Sequence, residues 1–591
     1  MKWSTFKKNF AAICRLQWKY NKSLAVYFVL LQITGKLKLY AGIYCAGAVL
    51  DAVTYRSEGS FKRILLMVAL IVGSELLNEG LQFYSNFRRT LTQYDADESL
   101  RIERLRKISR IKMDYFETNA LYRSNANISQ FNAGTIYSFF ISCIMFLSGI
   151  LSIVIAAVAL VTISPWVGLL FFLTYVPVCL WETKKGVSTI KFAESRINME
   201  TKLNSLFAFI AGRTAIQELK LFQSFERLIQ QRKKLFGKMQ DESVRFNLKM
   251  TNRSTLLKLV PTLLYYGIYF ALGLGVWAAK MTIGNFWVAI ELVGNLNTEL
   301  QNTSSHISSI ASDFKRANDF MEFFEYEEEK SDGKPLDESA DIVFRNLTYS
   351  YPESGRNALN GLSVTIRNGE RTAIVGHNGA GKTTLSKLLL GLYNDYEGDI
   401  LFGQTEAREI ANRDRYAAFS VAFQDYCKYP FGMRENISMS DKVDGERYKY
   451  ALACSGCDAI ADTLPQGDQT PLNKEYDADG TDLSEGQWHS VVLARTFYRQ
   501  TPFLLFDEPT ASLDPMVEYR FIRDILDRSE GKTVIYITHR LACMHRFDNI
   551  IVLEDGVVAE QGTHRELIEK QGIYFKMWSA QAEKYGVEFV G

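Results

Sequence analysis

Long uncharged runs dominate the first half of the chain. No Asp, Glu, Lys or Arg occurs between Arg123 and Glu182. A helix that spans a membrane needs about 20 apolar residues. This stretch therefore predicts two spans, divided at Thr162-Ile163-Ser164-Pro165, where proline cannot continue a helix. Leu259–Ala279 is another uncharged run and tolerates Pro261, as membrane helices often do. Three weaker runs complete six predicted spans. Leu24–Val53 is apolar except for Lys36, Lys38 and Asp51, and Ile64–Phe87 except for Glu75 and Glu79. Thr282–Ile310 carries Glu291, Glu299 and His306 among many Asn, Ser and Thr.

The connections fit this count. Short links follow the first, third and fifth spans, and long basic segments follow the second (Arg88–Lys112) and fourth (Glu182–Lys258). Excess Lys and Arg marks the cytoplasmic side, so the amino terminus and both long segments are placed there. Residues 1–22 hold Lys2, Lys7, Lys8, Arg15, Lys19 and Lys22 without an acid, interleaved with Trp3, Phe6, Phe10 and Trp18. That is the composition of an amphipathic helix lying on membrane lipids. A signal peptide is a poorer reading, because the following apolar run is too long and has no clear small-residue cleavage site.

Within the spans, charges are costly and are usually paired or turned to a water-filled cavity. A hairpin turn near Ser57 sets Lys38 at the depth of Asn78, between Glu75 and Glu79. Lys36, Lys38, Glu75 and Glu79, with Glu291 and Asn295 on the sixth span, are candidates to line a polar membrane cavity. A purely structural pairing is the alternative.

Residues 325–340 are acidic, with Gly and Pro, and read as a linker. The expected division is an amphipathic surface helix at 1–22, a helical membrane domain at 23–324, the linker, and a domain of alternating strands and helices at 341–591. The fold class is thus a membrane α-helical domain of six transmembrane helices joined to an α/β P-loop domain. Composition alone hides this: 68 Lys+Arg against 66 Asp+Glu gives a net charge of +2 over 591 residues. So even a balance argues against a nucleic-acid partner. Eight cysteines in so long a chain make no disulfide framework, and Cys454-x-x-Cys457 lacks the second pair a zinc site needs.

The second half carries the chemistry. Gly376-His377-Asn378-Gly379-Ala380-Gly381-Lys382-Thr383 fits the phosphate-binding P-loop pattern, lies between an apolar strand and a helix, and continues into Thr384. Its glycines let backbone amides face phosphate oxygens, Lys382 reaches the β- and γ-phosphates of ATP, and Thr383 offers a hydroxyl to Mg²⁺. The apolar strand at Phe503 ends in Asp507-Glu508. Asp507 suits the Mg²⁺ shell, and Glu508 suits a general base on the attacking water.

Leu483-Ser484-Glu485-Gly486-Gln487, with the P-loop, Asp507-Glu508 and His539, resembles the ATP-binding-cassette superfamily. The same order places Tyr351 as the adenine-stacking aromatic, Gln424 in the Q-loop and Asp514 in the D-loop. With six spans ahead, nearly the whole chain resembles an exporter-type half-transporter of the kind found among bacterial multidrug and peptide exporters. The resemblance implies a multi-pass protein of the bacterial plasma membrane with its cassette in the cytoplasm. It also implies a second half-transporter as partner, each ATP sitting on one P-loop and under residues 484–487 of the other chain. Gln424 would link Mg²⁺ and the water to the membrane domain, and His539 would hold the γ-phosphate. Short helices within 106–119 and 205–224 would dock on the cassettes.

Two departures stand out. Glu485 replaces the usual glycine of the signature, placing a carboxylate near the partner's phosphates. With Glu508 and His539 intact, this leans towards a heterodimer over a homodimer. The run Tyr476–Asp482 also lacks the usual Gly-Glu. The expected activity is ATP-driven export of an amphipathic peptide, lipid or drug. Import of a metal chelate, or a nucleotide-gated channel with little turnover, are the alternatives.

Overall fold

The computed structural model describes residues 3–55, 59–118, 132–163, 165–352, 354–474, 477–509, 515–541 and 543–584. It divides into two compact units: Met1–Ser109 with Ala120–Tyr326, and Arg110–Asn119 with Glu327–Gly591.

The first unit is helical. Its long helices are α1 (Trp3–Thr54), α2 (Ser60–Ile108), α4 (Ala133–Ile163), α5 (Pro165–Ala211), α7 (Phe225–Trp277) and α8 (Ile283–Phe324), with the short α6 (Arg213–Leu221) before α7. The four-residue α3 (Asp114–Glu117) folds with the second unit. The break expected at 162–165 falls between α4 and α5, and Pro165 opens α5, where its missing N–H costs nothing. The segment expected as a surface helix at 1–22 and the first span lie on one continuous helix. No Gly or Pro precedes Gly35, so nothing ends the helix, and the amphipathic segment runs straight into the first span.

Among the described residues, four helices are long and apolar enough to cross a membrane, with spans at Val26–Thr54, Ser60–Ile108, Gly134–Ala159 and Phe225–Trp277. The expected fourth and sixth spans, α5 and α8, are not in that set. The apolar start of α5 includes side chains outside the described residues, and α8 is diluted by Glu291, Asn295, Asn297, Glu299 and Gln301. Both belong to the same bundle: α8 packs on α1, α4 and α5, and α5 on α7. Ile43, Tyr175, Val178, Ile268, Leu292 and Val293 form its apolar core. Gly47 and Gly284 bring α1 and α8 together, since a Cβ on Gly284 would meet Gly47 O at 2.3 Å. Small residues at such crossings permit close backbone approach.

Lys36, Lys38, Glu75 and Glu79 are all paired, but not all as expected. Lys38 Nζ lies 2.6 Å from Glu75 Oε1 and 3.9 Å from Glu79 Oε1, as the hairpin arithmetic requires. Lys36 turns away to Glu299 Oε1 at 2.5 Å. Residues two apart on a helix face different sides, so the two lysines serve different neighbours. A cavity of about 560 Å³ is lined by Lys36 and Lys38 together with Gln32, Asn78, Gln82, Asn86, Arg89, Tyr137 and apolar residues. Glu75, Glu79, Glu291 and Asn295 do not line it. Asn295 instead donates to Tyr40 Oη at 3.3 Å and lies 3.4 Å from Ser152 Oγ, while Glu291 is half-buried elsewhere on α8.

The second unit holds two sheets. One is antiparallel, in the order β2 (Asn357–Ile366), β1 (Ile342–Ser350), β4 (Glu397–Phe402), β5 (Thr405–Glu406). The other runs β10 (Val557–Gly562), β9 (Asn549–Glu554), β3 (Arg371–Gly376), β8 (Thr533–Thr538), β7 (Phe503–Asp507), β6 (Phe419–Ala422). Its pairs from β9 to β6 are parallel, with β10 antiparallel at the edge. The strands β3, β7 and β8 are buried along nearly their whole length, which is why they read as continuous apolar runs rather than alternating ones. Parallel register brings the carboxyl ends of these three strands to one edge, where open α/β sheets bind ligands.

Candidate active site

The P-loop leaves β3 at Gly376 and enters α9 (Lys382–Leu390). Gly379 and Gly381 adopt φ of 84° and 99°, and a Cβ on Gly381 would meet Ala358 O at 2.7 Å. Only glycine accepts both the left-handed backbone and the close approach. The turn aims the amino end of α9, with its free N–H groups and positive dipole end, at a cavity of about 490 Å³. Tyr351, Asn378, Gly379, Gly381, Lys382, Thr383, Thr384, Gln424 and Glu508 line that cavity, so these expected residues meet in space. Gly376, His377 and Ala380 shape the loop without lining the cavity. Ala358 also lines it, and nothing in its sequence context marks it.

Lys382 is buried and donates Nζ to Gly376 O at 2.9 Å and to His377 O at 3.1 Å. The same ammonium lies 3.7 Å from Glu508 Oε1. Glu508 Oε2 is 3.0 Å from His539 Nδ1, without the alignment of a hydrogen bond. Glu508 has φ of 48°. A side chain held in the left-handed region is strained, and such strain gathers at functional sites. Its amide still donates to Ile537 O at 2.9 Å, so β8 fixes the turn that presents the carboxylate.

Asp507, at the end of β7, is 1% exposed and accepts from Thr383 Oγ1 at 3.4 Å and Ser386 Oγ at 3.5 Å. Burial, then the neighbouring Glu508 charge, pushes its carboxyl up to about 6. The donor set of a hydroxyl and a carboxylate suits Mg²⁺, a hard cation that takes oxygen ligands. Because a ligand carboxylate must be deprotonated, acidification through about pH 6 weakens the metal site. Mg²⁺ titration of ATPase activity should show an apparent Mg²⁺ affinity that falls about ten-fold per pH unit below ~6 and is flat above ~7.

The Tyr351 hydroxyl is 3.1 Å from Thr384 Oγ1, and its ring meets Tyr349 and Tyr393 edge-on at 5.2 and 5.6 Å. Lys387 Nζ lies 5.8 Å above it. The buried Tyr393 donates its hydroxyl to Glu117 on α3. Of the two short helices expected to dock on cassettes, α3 folds with the second unit, whereas α6 belongs to the first. A supporting residue that sequence reasoning misses is Arg415. Fully buried, it donates to the carbonyls of Leu388 and Leu389 at 2.6 and 2.8 Å, the end of α9. A cation there answers the negative end of the helix.

The signature is apart from this cavity. Ser484 caps α14 (Glu485–Tyr498): its Oγ accepts from Gln487 N at 3.3 Å and its N–H donates to Gln487 Oε1 at 2.9 Å. Ser484, Glu485 and Gly486 are exposed. Glu485 does not stand as an uncompensated charge: Tyr426 donates to it at 2.8 Å and Lys428 at 2.5 Å. These two hold its carboxyl below the usual range, Lys428 most. Asp514, expected in the D-loop, and Tyr476 lie outside the described residues.

A P-loop, a strand-end acid pair and a strand-end histidine at one sheet edge define a P-loop ATPase, here fused to a bundle of membrane helices. Residues 359–511 match the family model of the ABC transporter. The chain is 28% identical over 557 residues to the subtilin transport ATP-binding protein of Bacillus subtilis, covering 92% of this chain and 89% of that one. It is 25% identical over 586 residues to the nisin transport ATP-binding protein of Lactococcus lactis subsp. lactis, covering 96% and 95%. A solved bacterial Atm1-family ABC exporter with ATP bound superposes with a TM-score of 0.77 at 21% identity, covering 95% of this chain and 98% of that one. Residues 359–511 thus form an ABC transporter ATP-binding domain, joined in one polypeptide to a bundle of long apolar helices, and the whole has the fold of an ABC exporter. A domain of this family binds ATP with Mg²⁺ and drives transport by hydrolysing it.

Proposed function

We propose that this chain exports an amphipathic peptide across a bacterial plasma membrane, working as a homodimer with its cassettes in the cytoplasm. The observation that carries the cargo class is the 560 Å³ cavity in the helical bundle, whose walls mix amide, cationic and apolar side chains. The two relatives matched over most of their length are named for transport of the peptides subtilin and nisin, which supports the same class. The pairing of Glu485 supports the homodimer. Its charge is already met by Tyr426 and Lys428, which removes the electrostatic reason for a different partner.

In this reading Lys382 and the P-loop amides bind the phosphates, and Tyr351 stacks on adenine. Thr383, Asp507 and Gln424 would hold Mg²⁺, which neutralises developing phosphate charge. Glu508 takes the proton of the attacking water, while His539 orients the carboxylate and contacts the γ-phosphate. Residues 484–486 are exposed on their own chain, and with Gln487 they cover the nucleotide of the second copy. Residues 110–119 fold with the cassette while both flanking stretches belong to the bundle, so the chain itself transmits cassette motion to the membrane helices. ATP favours the closed cassettes and so shifts the bundle's population.

The test is ATPase activity of purified full-length protein in nanodiscs with a panel of amphipathic peptides. Stimulation by at least one peptide, abolished when Lys36 and Lys38 are replaced by Gln, is expected. A uniform basal rate across the panel contradicts the cargo class.

A further inference from the structure

The loop of residues 423–431 leaves β6, carries Gln424 to the nucleotide cavity, and then runs along α14. Two side chains of α14 hold it. Near the carboxyl end, Arg495 donates Nε to Asn436 O at 2.9 Å, approaches Cys427 O at 3.4 and 3.5 Å, and covers the Tyr429 ring at 5.0 Å. That anchor is half-buried and fixes the middle of the loop. At the amino end, Glu485 takes the Tyr426 hydroxyl and the Lys428 ammonium. The Tyr426 ring lies edge-on against His489, one turn further along α14, at 5.1 Å.

The amino-terminal clasp contributes little to folding. The Glu485 side chain is 63% exposed and that of Lys428 41%, and exposed pairs add little to stability. A carboxylate in the first turn of a helix is favourable by itself, and that benefit does not require reaching Tyr426. What the clasp does is join two pieces of chain with different tasks. Ser484, the residue before Glu485, faces the second copy's nucleotide. Gln424, two residues before Tyr426, faces this chain's own.

We propose that Glu485 is a positioning residue for ATP hydrolysis, tying the signature turn to the Gln424 loop so that nucleotide on one side sets the geometry of the other. The proposal rests on the reading of residues 484–487 as the cover of the partner's ATP. With the clasp closed, the signature turn and the loop move together, and binding at one site biases Gln424 at the other. Such a link is a coupling free energy between two sites, and it appears as cooperativity in ATP.

The experiment is the ATP dependence of hydrolysis by the full-length protein in nanodiscs, for wild type, Glu485→Gln, Tyr426→Phe and the double variant. Glu485→Gln keeps side-chain length and removes the charge. Each single variant is expected to lower kcat about three-fold, to leave KM within about two-fold, and to bring the Hill coefficient towards 1. The double variant should be no slower than the slower single, since the two residues act through one contact. Thermal unfolding should match wild type. Unchanged kcat and cooperativity in both singles, additive losses, or a fall in rate tracked by a fall in thermal stability would each overturn the proposal. Ser484→Ala separates it from the reading beneath it. A normal rate in Ser484→Ala sinks both, whereas a slow Ser484→Ala beside normal Glu485→Gln and Tyr426→Phe sinks the clasp alone.

Discussion

Glu508→Gln should lower the ATP hydrolysis rate by about a thousand-fold while leaving ATP bound. Positioned acid–base groups contribute roughly 10²- to 10⁴-fold to rate. Glu508 is the carboxylate presented by the turn after β7, with His539 Nδ1 3.0 Å from it. Glutamine fills the same space but cannot take a proton from water. It also removes one negative charge beside Lys382 and the phosphates, so ATP affinity should hold or rise. Single-turnover hydrolysis and equilibrium nucleotide binding on the same preparation separate the two effects. A rate within about three-fold of wild type would refute Glu508 as the base.

Lys382→Ala should weaken ATP binding by about a hundred-fold or more. Hydrogen bonds to charged groups contribute ~1.5–3 kcal/mol each, and a P-loop lysine reaches two phosphates. In the structure the ammonium is buried at the mouth of the loop, bonded to Gly376 O and His377 O. Its removal also leaves the Glu508 carboxylate without its nearest cation. The loss should therefore appear in binding itself, read with a fluorescent ATP analogue, and not only in turnover. Unchanged analogue affinity would contradict the role.

The nucleotide site was legible in the sequence because its parts are local. The P-loop's glycine spacing, the acid pair after an apolar strand and a histidine at a strand end each depend on a few adjacent residues. Parallel pairing of β3, β8 and β7 then brings them together. The break at Pro165 and the Lys38–Glu75 pair were legible for a like reason, since a helix stop and a hairpin register are both arithmetic along the chain. Contacts between distant segments were not. Lys36 finds Glu299 across 263 positions, and Arg415 reaches back to cap α9 from a stretch with no motif. Glu485 looked like a liability because its two partners lie 57 and 59 residues earlier, beyond any signal in local spacing. The continuity of α1 is not marked by composition, for another reason. Composition changes near residue 22, but a helix ends only where the backbone is stopped, and nothing stops it there.

The central claim is that ATP hydrolysis at this cassette moves an amphipathic peptide away from the cassette side of the membrane. Sealed vesicles carrying the full-length protein with cassettes outward, given external Mg-ATP and dye-labelled amphipathic peptides, test it directly. Peptide should accumulate inside the vesicles only with ATP and not with Glu508→Gln. ATP hydrolysis without accumulation of any peptide, movement towards the cassette side, or equal accumulation with Glu508→Gln would each contradict export.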